Sequence, residues 1–419
     1  MPQYIPMRIQ APRGTEDVLP SQVGMWQWLE QVYRETAHHY GYAEIRTPVF
    51  EDLKLFTRTA GEHSDIVTKE MYDFKDKGDR DIALKPEGTA PVIRAAIEHN
   101  LCPQGSHSRM FYATPCYRYN RSQKGRLREL HQFGAEFMGS KSSAADAEVL
   151  ELAYRFLAKV GLGDEPISIN SIGRSECRKA FSACILDHVA PFLATAEEDV
   201  KGRILKNPMG MLDSKDVAQQ EALKGLPSIH NFLEPESTER FAQLQELLTE
   251  AGVPFKVAPN VVRGLDYYTE TVFEFESEFL EGLSIFGGGR YDLLVKQLGG
   301  ADTPCVGYGI GIERLILALQ AKQIAPPARK ADIFFVSATE AAAPLIRQLA
   351  RDLRAHGKTA LLDIDNRSMK SQMRQADSSG ARFAAIIGED EVTNGTVSLK
   401  NLETGEQSQV KLEDVKESI

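Results

Sequence analysis

The sequence lacks the features that mark several specialised protein classes. Its five cysteines form no CxxC pair and no metal-ligand spacing, which favours free buried thiols in a reducing compartment over a zinc site or a disulfide framework. No apolar run approaches the ~18 residues of a membrane helix. The N-terminal stretch MPQYIPMRIQ lacks the apolar core of a secretory signal. These absences predict a soluble cytoplasmic protein with no membrane partner.

Length and charge further restrict the kinds of protein that this sequence can encode. A chain of 419 residues exceeds one compact core, so two or three domains are expected. A formal net charge of -10 argues against a general nucleic-acid coat but allows a local basic surface. The basic stretch Tyr117–Arg128 contains no acid and five cations, namely Arg118, Arg121, Lys124, Arg126 and Arg128. It is either a solvated hairpin turn or a site for phosphates, and ATP and an RNA end both fit the second interpretation.

Hydrophobic spacing predicts helices and strands in the first part of the chain. Residues 26–36 have the period of an amphipathic helix, and DKGD is the turn of a predicted hairpin. Two strands, at about 111–119 and 130–138, flank the basic stretch. Thr89 is predicted to cap one helix, and Asp146 to open another that ends at Gly161.

Composition also predicts the domain boundaries. From about residue 174 to 248 the pattern becomes helical and polar, which indicates a helical insertion in a larger domain of residues 1–324. A proline-bearing, charged linker follows at residues 325–331. Strand and helix signals then alternate over residues 332–419, which predicts a small α/β unit with a partly parallel sheet. That unit has no GxxxxGK loop and so gives no sign of a Walker-type nucleotide cradle.

The stretch Val262–Phe275, VRGLDYYTETVFEF, joins an ordinary strand to an unusual set of polar residues. Phe273 and Phe275 alternate with glutamates, which is the period of a half-buried strand. Just before them stand Arg263, a glycine, an aspartate and two adjacent tyrosines. A core aromatic pair with a surface arginine is the structural interpretation. A binding cavity that needs all of these groups is the functional one.

Glycine-rich stretches offer further candidate sites. Gly287–Asp292, GGGRYD, is either a turn or a place where the backbone approaches a ligand beside Tyr291. Glycines alternate over residues 307–311 and leave one strand face without side chains. This face allows either close packing of a helix or binding of an adenine nucleotide, whose phosphates Arg314 would reach. Glu87, at a helix entrance, either favours the helix N-terminus or receives a substrate ammonium.

Together and in this order, the motifs resemble the histidyl-tRNA synthetase family of class II aminoacyl-tRNA synthetases. They are PRGTEDVLP, KPEGTAPVIRA, YRYNRSQKGRLRELHQFGAEFMG, VRGLDYYTETVFEF, IFGGGRYDLL and GYGIGIERL. The resemblance implies an α+β fold, with an antiparallel sheet flanked by helices, a helical insertion and a C-terminal α/β anticodon-binding domain. It also implies a homodimer, with the segment around Pro48 at the dimer interface.

The resemblance implies that ATP activates L-histidine to histidyl-adenylate, from which tRNA-His is charged at its 3′ end. The histidine site would comprise Glu87, Gly88, Thr89, Arg118, Gln132, Glu136, Arg263, Tyr267, Tyr268 and Tyr291, and the ATP site Arg118, Arg126, Arg263 and Arg314. Arg263 and Arg118 would be catalytic at the α-phosphate, and Gly264 would let the chain turn. Elementary chemistry agrees, since attack on phosphorus needs positioning and positive charge more than a covalent nucleophile. Mg²⁺ would accompany ATP, and no protein metal site is required.

Four positions depart from the commonest family pattern: Lys85 for arginine, Asn120 for an acid, Ser122 for proline and Leu127 for an aromatic residue. None removes a charge that adenylation needs, and the resemblance places Asn120 and Ser122 at the loop tip that would approach the tRNA acceptor end.

Two related non-synthetase functions compete with the ligase interpretation. One is a regulatory subunit of the first enzyme of histidine biosynthesis, and the other is a sensor of uncharged tRNA. The full α/β unit after Asp332 and the presence of Arg118, Arg263 and Arg314 favour the enzyme over the regulatory subunit. The absence of a kinase segment argues against the sensor.

Overall fold

A computed structural model describes residues 9–59, 69–120, 125–263, 267–277, 279–280, 283–327 and 330–419, in two compact units, Met1–Pro326 and Pro327–Ile419. The strands of the first unit are β1 (Ala43–Glu44), β2 (Phe50–Asp52), β3 (Tyr72–Lys75), β4 (Asp81–Leu84), β5 (Ser108–Tyr117), β6 (Glu129–Met138), β7 (Ile167–Ser171), β8 (Phe255–Val257), β9 (Thr269–Glu276), β10 (Ser284–Arg290) and β11 (Cys305–Gly311). Its helices are α1 (Val23–His39), α2 (Leu53–Thr59), α3 (Thr89–Glu98), α4 (Ser143–Lys159), α5 (Ser175–His188), α6 (Ala190–Leu193), α7 (Glu198–Lys206), α8 (Val217–Ala222), α9 (Pro235–Glu250), α10 (Leu294–Gln297) and α11 (Ile312–Ala321). Short 3₁₀ helices lie at Pro208–Asp213 and Ile229–Phe232.

The first unit is built on a large sheet. Within the described residues its strand order is β1-β5-β6-β11-β10-β9-β7-β8. The central pairs from β5 to β7 are antiparallel, whereas the edge strands β1 and β8 pair parallel to their neighbours. The predicted antiparallel sheet flanked by helices is therefore confirmed.

Helices α1, α4, α9 and α11 cover the main hydrophobic core of this sheet. Leu29 and Tyr33 of α1 and Phe156 of α4 are buried there, as their helical spacing predicts. Leu244 and Leu248 of α9 belong to the same core. The last part of the predicted insertion thus packs with the sheet.

Two local predictions from sequence were wrong, and one of two alternative interpretations is excluded. Helix α3 begins at Thr89 itself, and the carboxylate of Glu87 accepts the free N–H groups that a cap would satisfy. Helix α4 begins at Ser143 with Ser142 as its cap, while Asp146 is buried in an ion pair with Arg290. The three glycines from Gly287 lie inside β10, where they form no turn.

The helical segment 175–232 follows β7. Its core residues Phe181, Ile185 and Met211 pack in one cluster with Tyr267 and Tyr268 of the candidate site. A separate three-stranded sheet, β2-β4-β3, contains the predicted DKGD hairpin.

The second unit is a small α/β domain. Its strands are β12 (Ile333–Ser337), β13 (Ala360–Leu362), β14 (Phe383–Ile387), β15 (Thr396–Asn401) and β16 (Gln407–Lys411), and its helices are α12 (Ala343–Ala355), α13 (Met369–Ser378) and α14 (Glu389–Asn394). The strand order is β13-β12-β14-β15-β16, and β12 pairs parallel with both neighbours. The predicted partly parallel sheet is confirmed. None of the helices described in either unit is long and apolar enough to span a bilayer.

Candidate active site

Glu136 of β6 lies at the centre of a buried polar cluster. Its Oε1 accepts hydrogen bonds from Thr89 Oγ1 (2.8 Å) and Tyr112 OH (3.3 Å), and its Oε2 accepts one from Tyr291 OH. A Cβ at Gly307 would overlap Oε2, so the glycine of β11 makes room for the carboxylate. Burial raises the pKa of Glu136 to about 8, although the three hydroxyl donors lower it. The cluster therefore holds a carboxyl group that titrates near neutral pH.

Glu87 organises the adjoining entrance of α3. Its carboxylate oxygens accept the backbone N–H groups of Thr89 (2.6 Å) and Ala90 (2.9 Å). Gly88 N donates to Gln132 Oε1 (3.1 Å), so Gln132 and Glu136 face the same segment from one side of β6, as their spacing predicts. Burial raises the pKa of Glu87, while the backbone donors lower it. Two carboxyl groups and an amide thus lie together at the entrance of α3.

Three tyrosines form a wall beside these carboxyl groups. The ring centroids of Tyr267 and Tyr268 are 4.6 Å apart, and Tyr291 lies 5.6 Å from the first and 6.4 Å from the second. All three are buried. Aromatic rings beside a buried carboxyl group suit the recognition of a flat ring that donates an N–H.

Arg263 joins the aromatic wall to the strand face of β10. Its Nη1 forms an ion pair with Glu274 Oε1 at 3.2 Å. A Cβ at Gly287 would overlap the guanidinium group, so this glycine of β10 makes room for the side chain. Burial lowers the pKa of Arg263, but interactions with Tyr268 and Glu274 raise the pKa by a larger amount, so the net shift is upward. Arg263 stays charged at the edge of the tyrosine wall.

Backbone carbonyl groups hold two further arginines. Arg118 Nε donates to Pro86 O (2.7 Å), one residue before Glu87. Arg314, in the first turn of α11, donates to Gly125 O (3.2 Å) and Ser284 O (2.7 Å). Neither guanidinium group is neutralised by these neutral acceptors, so both can take up an anion.

Three other arginine side chains lie near Arg314. Burial lowers the pKa of Arg314, and the positive charges of Arg126, Arg118 and Arg263 lower it further, whereas Glu274 opposes them. Arg314 therefore lies close enough to three other guanidinium groups to be repelled by them. A cluster of this kind is stabilised by a polyanion such as a triphosphate.

The structure brings the predicted histidine-site and ATP-site residues into one region, while other residues of the same motifs are not described. Arg121, Ser122, Lys124 and Gly264 lie outside the described residues. Arg128, the last cation of the basic stretch, stacks on Tyr119 with Cζ 4.0 Å from the ring centroid.

Two charged residues of the predicted motifs hold neighbouring segments of the first unit together. Lys85 is buried and donates to Thr47 O and Oγ1 at 3.2 Å, and burial lowers its pKa. Glu313 accepts the His131 backbone N–H at 2.9 Å.

Sequence reasoning missed three residues of the site. Tyr112 donates to Glu136, and its only sequence signal is a large ring on the strand that faces the glycine-bearing β6. Glu274 was visible only as the polar face of β9. Asp213 of the helical segment lines a cavity of about 120 Å³ with Glu274, and burial raises its pKa while Arg263 lowers it. No local pattern connects Asp213 with the site.

A family model described as "Histidyl-tRNA synthetase" matches residues 14–176 and 189–315, and one described as "Anticodon binding domain" matches residues 323–419. The chain belongs to the histidyl-tRNA synthetase family. The family assignment drawn from the motifs is thereby confirmed.

Relatives in this family match along almost the whole chain. A histidine–tRNA ligase of Synechococcus elongatus is 43% identical over 400 residues, covering 95% of this chain and 92% of the relative. One of Bacillus cytotoxicus is 43% identical over 413 residues, covering 97% of each. The crystal structure of apo histidyl-tRNA synthetase from S. aureus matches with a TM-score of 0.82 at 35% identity, covering 98% of this chain and 99% of that one.

A more distant structural likeness bears on the regulatory-subunit alternative. A Bacillus halodurans protein described as an ATP phosphoribosyltransferase regulatory subunit/histidyl-tRNA synthetase matches with a TM-score of 0.65 at 23% identity, covering 91% of this chain and 98% of that one. At this identity the likeness shows the fold alone. The fold therefore does not separate the two functions, and the site chemistry must.

Proposed function

We propose that this chain activates L-histidine with ATP and transfers the histidyl group to the 3′ end of tRNA-His. The observation that carries the proposal is that two complementary sites adjoin. A buried cluster of carboxyl groups and tyrosines shares Arg263 with a cluster of four guanidinium groups. The first suits an imidazole-bearing amino acid and the second a triphosphate.

Histidine recognition would use both ends of the pocket. Glu87 and Thr89 receive the ammonium group, and Gln132 completes that end. Glu136 accepts an imidazole N–H, with Tyr291 fixing its orientation through their hydrogen bond. Tyr267 and Tyr268 enclose the ring. This arrangement leaves the histidine carboxylate directed at the arginine cluster.

In the first step an oxygen of the histidine carboxylate attacks the α-phosphorus of ATP. The bond between that phosphorus and the bridging oxygen breaks, and pyrophosphate leaves. Arg263 and Arg118 stabilise the charge that develops on the α-phosphate, while Arg126 and Arg314 hold the leaving pyrophosphate. The reaction needs no covalent enzyme intermediate.

We propose that Mg²⁺ enters with ATP. Among the described residues no group of three or more His, Cys, Asp or Glu side chains is arranged to hold a metal ion. Mg²⁺ commonly binds through substrate phosphates, water and one or two carboxylates, and Glu274 beside Arg263 suits that mode. When bound, the ion would neutralise phosphate charge.

In the second step a hydroxyl oxygen of the terminal tRNA adenosine attacks the carbonyl carbon of the adenylate, and the hydroxyl proton passes to an oxygen of the departing phosphate. The bond to the phosphate oxygen breaks, and AMP leaves with histidyl-tRNA formed. Arg118 and Arg263, which lie at the α-phosphate, also stabilise the departing AMP phosphate.

The test is aminoacylation of transcribed tRNA-His, with and without its extra 5′ guanosine, across the standard amino acids, together with histidine-dependent pyrophosphate–ATP exchange. The proposal expects exchange and charging with histidine alone. Histidine binding without exchange would instead favour a regulatory subunit, and charging by another amino acid would refute the specificity.

The C-terminal unit supports the tRNA part of the proposal. A cavity of about 450 Å³ lies between β12, α12 and the segment after β13. Arg347 and Arg351 line it and have no hydrogen-bond or ion-pair partner in the described part of the chain. Ile364 at the same cavity is 86% exposed. Unpaired cations beside an exposed apolar side chain suit an RNA loop with unstacked bases.

Reversing both charges, with Arg347→Glu and Arg351→Glu, should lower kcat/KM for tRNA-His about 10- to 100-fold, because phosphate attraction becomes repulsion. Histidine-dependent pyrophosphate exchange should stay unchanged. The control Arg374→Glu with Lys416→Glu makes the same charge change at exposed residues that do not line the cavity. Equal loss of tRNA charging in both double variants would contradict a specific role for the cavity.

We further propose a cytoplasmic homodimer. In the sheet β2-β4-β3, Phe50 and Tyr72 each pair with Leu84, and Phe74 pairs with Ile82, so these side chains share one face. Phe50 is 56% and Phe74 is 48% exposed. This apolar face lies next to Pro48, where the family resemblance implies the dimer interface. A second copy of the chain would cover it.

Phe50→Asp with Phe74→Asp should convert a dimer of twice 46.6 kDa into a monomer in sedimentation experiments at micromolar concentration. Phe279→Asp, at a comparably exposed aromatic residue on the turn after β9, should leave the dimer intact. A dimer that survives the double substitution would place the interface elsewhere.

A further inference from the structure

An irregularity in β9 lies directly after the tyrosine pair. Gly289 of β10 pairs with Val272, whereas the next residue, Arg290, pairs with Thr269, so Glu270 and Thr271 form a bulge. Glu270 has φ of +54°, in the left-handed region that is costly for a residue with a side chain. Its side chain is buried. A strained, buried glutamate needs compensating contacts.

Those contacts come from both ends of the helical segment 175–232. Glu270 N donates to Gly173 O (2.9 Å), just before the segment, and Glu270 Oε1 accepts from Arg174 Nε (3.0 Å). Ser237 Oγ, in the first turn of α9 just after the segment, donates to the same Oε1 (2.9 Å). The entrance and the exit of the segment therefore meet on one carboxylate oxygen.

Tyr268 packs next to the same bulge. Arg178 of α5 donates to Tyr268 O (2.9 Å). A Cβ at Gly289, where the register breaks, would lie 2.9 Å from Tyr268 Cδ1, so the ring packs against the strand at the bulge. The orientation of Tyr268 thus depends on how the bulge is held.

The second oxygen of Glu270 distinguishes this contact from simple packing. Within the described residues Oε2 is buried without a hydrogen-bond partner, which costs stability. A glycine would relieve the backbone strain at this position, and an apolar residue would avoid the unpaired oxygen. The positive φ and the unpaired oxygen both cost stability despite the contacts of Oε1, which points to a role in positioning.

We propose that Glu270 is a positioning residue for the histidine pocket. Glu270 fixes the bulge in β9 that turns Tyr267 and Tyr268 toward Glu136, and it links this bulge to both ends of the helical segment. The proposal rests on the proposed function, because it assigns those tyrosines to histidine binding. Glu270 does not itself touch substrate.

Glu270→Ala should raise KM for histidine about tenfold in pyrophosphate exchange, while kcat and KM for ATP stay within about threefold. Glu270→Gln keeps a carbonyl oxygen for Ser237 and Arg174 and should stay within threefold of wild type in all three constants. A purely structural residue would lower the melting temperature and change both KM values together.

Glu236→Ala is the matched control, because it removes the other carboxylate paired with Arg174 (2.7 Å), is 66% exposed and does not contact the bulge. It should leave KM for histidine unchanged. Ser237→Ala deletes one hydrogen bond to Glu270 and should raise KM for histidine about threefold, which keeps the test decisive if Glu270→Ala does not fold.

Three results would overturn the proposal: KM for histidine within twofold of wild type in Glu270→Ala, a parallel rise in KM for ATP, or equal impairment in Glu270→Gln. Failure of the proposed function is recognised separately, since wild-type protein would then give no histidine-dependent exchange. In that case calorimetric binding of histidine, unaltered by Glu270→Ala, would also refute the positioning role.

Discussion

Replacing Arg263 with alanine should slow the formation of histidyl-adenylate by about 10²–10³-fold, equivalent to about 3–4 kcal/mol of transition-state stabilisation. Arg263 lies between the tyrosine wall and the other arginines and keeps its charge despite burial. Charge grows on the α-phosphate as the carboxylate attacks, so an arginine held there acts mainly in the transition state. The loss should therefore appear in kcat more than in KM for ATP.

Arg263→Lys should recover only part of the rate. The Arg263 guanidinium group lies against the bare backbone at Gly287 and pairs with Glu274, a fit that depends on its planar fork. A lysine keeps the charge but loses this two-sided placement. The rate of the lysine variant should fall between those of wild type and Arg263→Ala.

Arg34→Ala provides the control, since Arg34 forms an ion pair with Glu44 at 3.2 Å on the same unit and lies outside the candidate site. Its exchange rate should match wild type. The measurement is pyrophosphate–ATP exchange at saturating histidine, with circular dichroism to show that the fold is retained. Exchange by Arg263→Ala within tenfold of wild type would exclude the catalytic role.

The spacing of hydrophobic residues was sufficient to predict elements that bury one face along their whole length. The alternation of Phe273 and Phe275 predicted β9, and the spacing in α1 and α4 predicted the residues that cover the sheet. Prediction from local sequence failed where a residue's role is a contact with a residue distant in the chain. Asp146 has the sequence signal of a helix start, yet its carboxylate neutralises the buried Arg290. Glycines signal turns, yet Gly287 makes room for an arginine from another part of the chain.

Much of the candidate site could be predicted because family motifs place its residues in order along the chain. Tyr112 and Asp213 could not, because they reach the site only through strand pairing and through folding of the helical segment. The bulge at Glu270 was also invisible, since a positive φ at a glutamate has no local sequence signal. Long-range packing decides such features.

Histidine binding should depend on pH through Glu136. Burial raises the pKa of Glu136 to about 8, and Glu87 contributes to the rise. Below that pH the empty pocket holds a proton on Glu136, but an imidazole N–H requires the carboxylate as its acceptor. Binding then releases the proton. KM for histidine should therefore fall about tenfold per pH unit well below pH 8, fall more gradually near pH 8 and level off above.

Glu136→Gln should raise KM for histidine about 10²-fold at pH 8, equivalent to about 2.7 kcal/mol, and remove its pH dependence. The free energy of unfolding provides a second readout. Because the pKa of Glu136 in the folded protein lies above its ordinary value, folding takes up a proton. The stability from that proton is complete below about pH 4.5 and is lost as pH rises through about 8. The glutamine variant should lack this loss.

Glu129→Gln is the control on the same strand, because Glu129 accepts a hydrogen bond from Tyr117 OH (3.3 Å) and has no contact with the pocket. It should preserve the pH profile. A profile that also persists in Glu136→Gln would assign the proton to Glu87, whose pKa burial raises as well. The ammonium group of histidine argues against that assignment, since a cation beside Glu87 stabilises its carboxylate and leaves Glu136 as the group that must lose a proton when the imidazole enters.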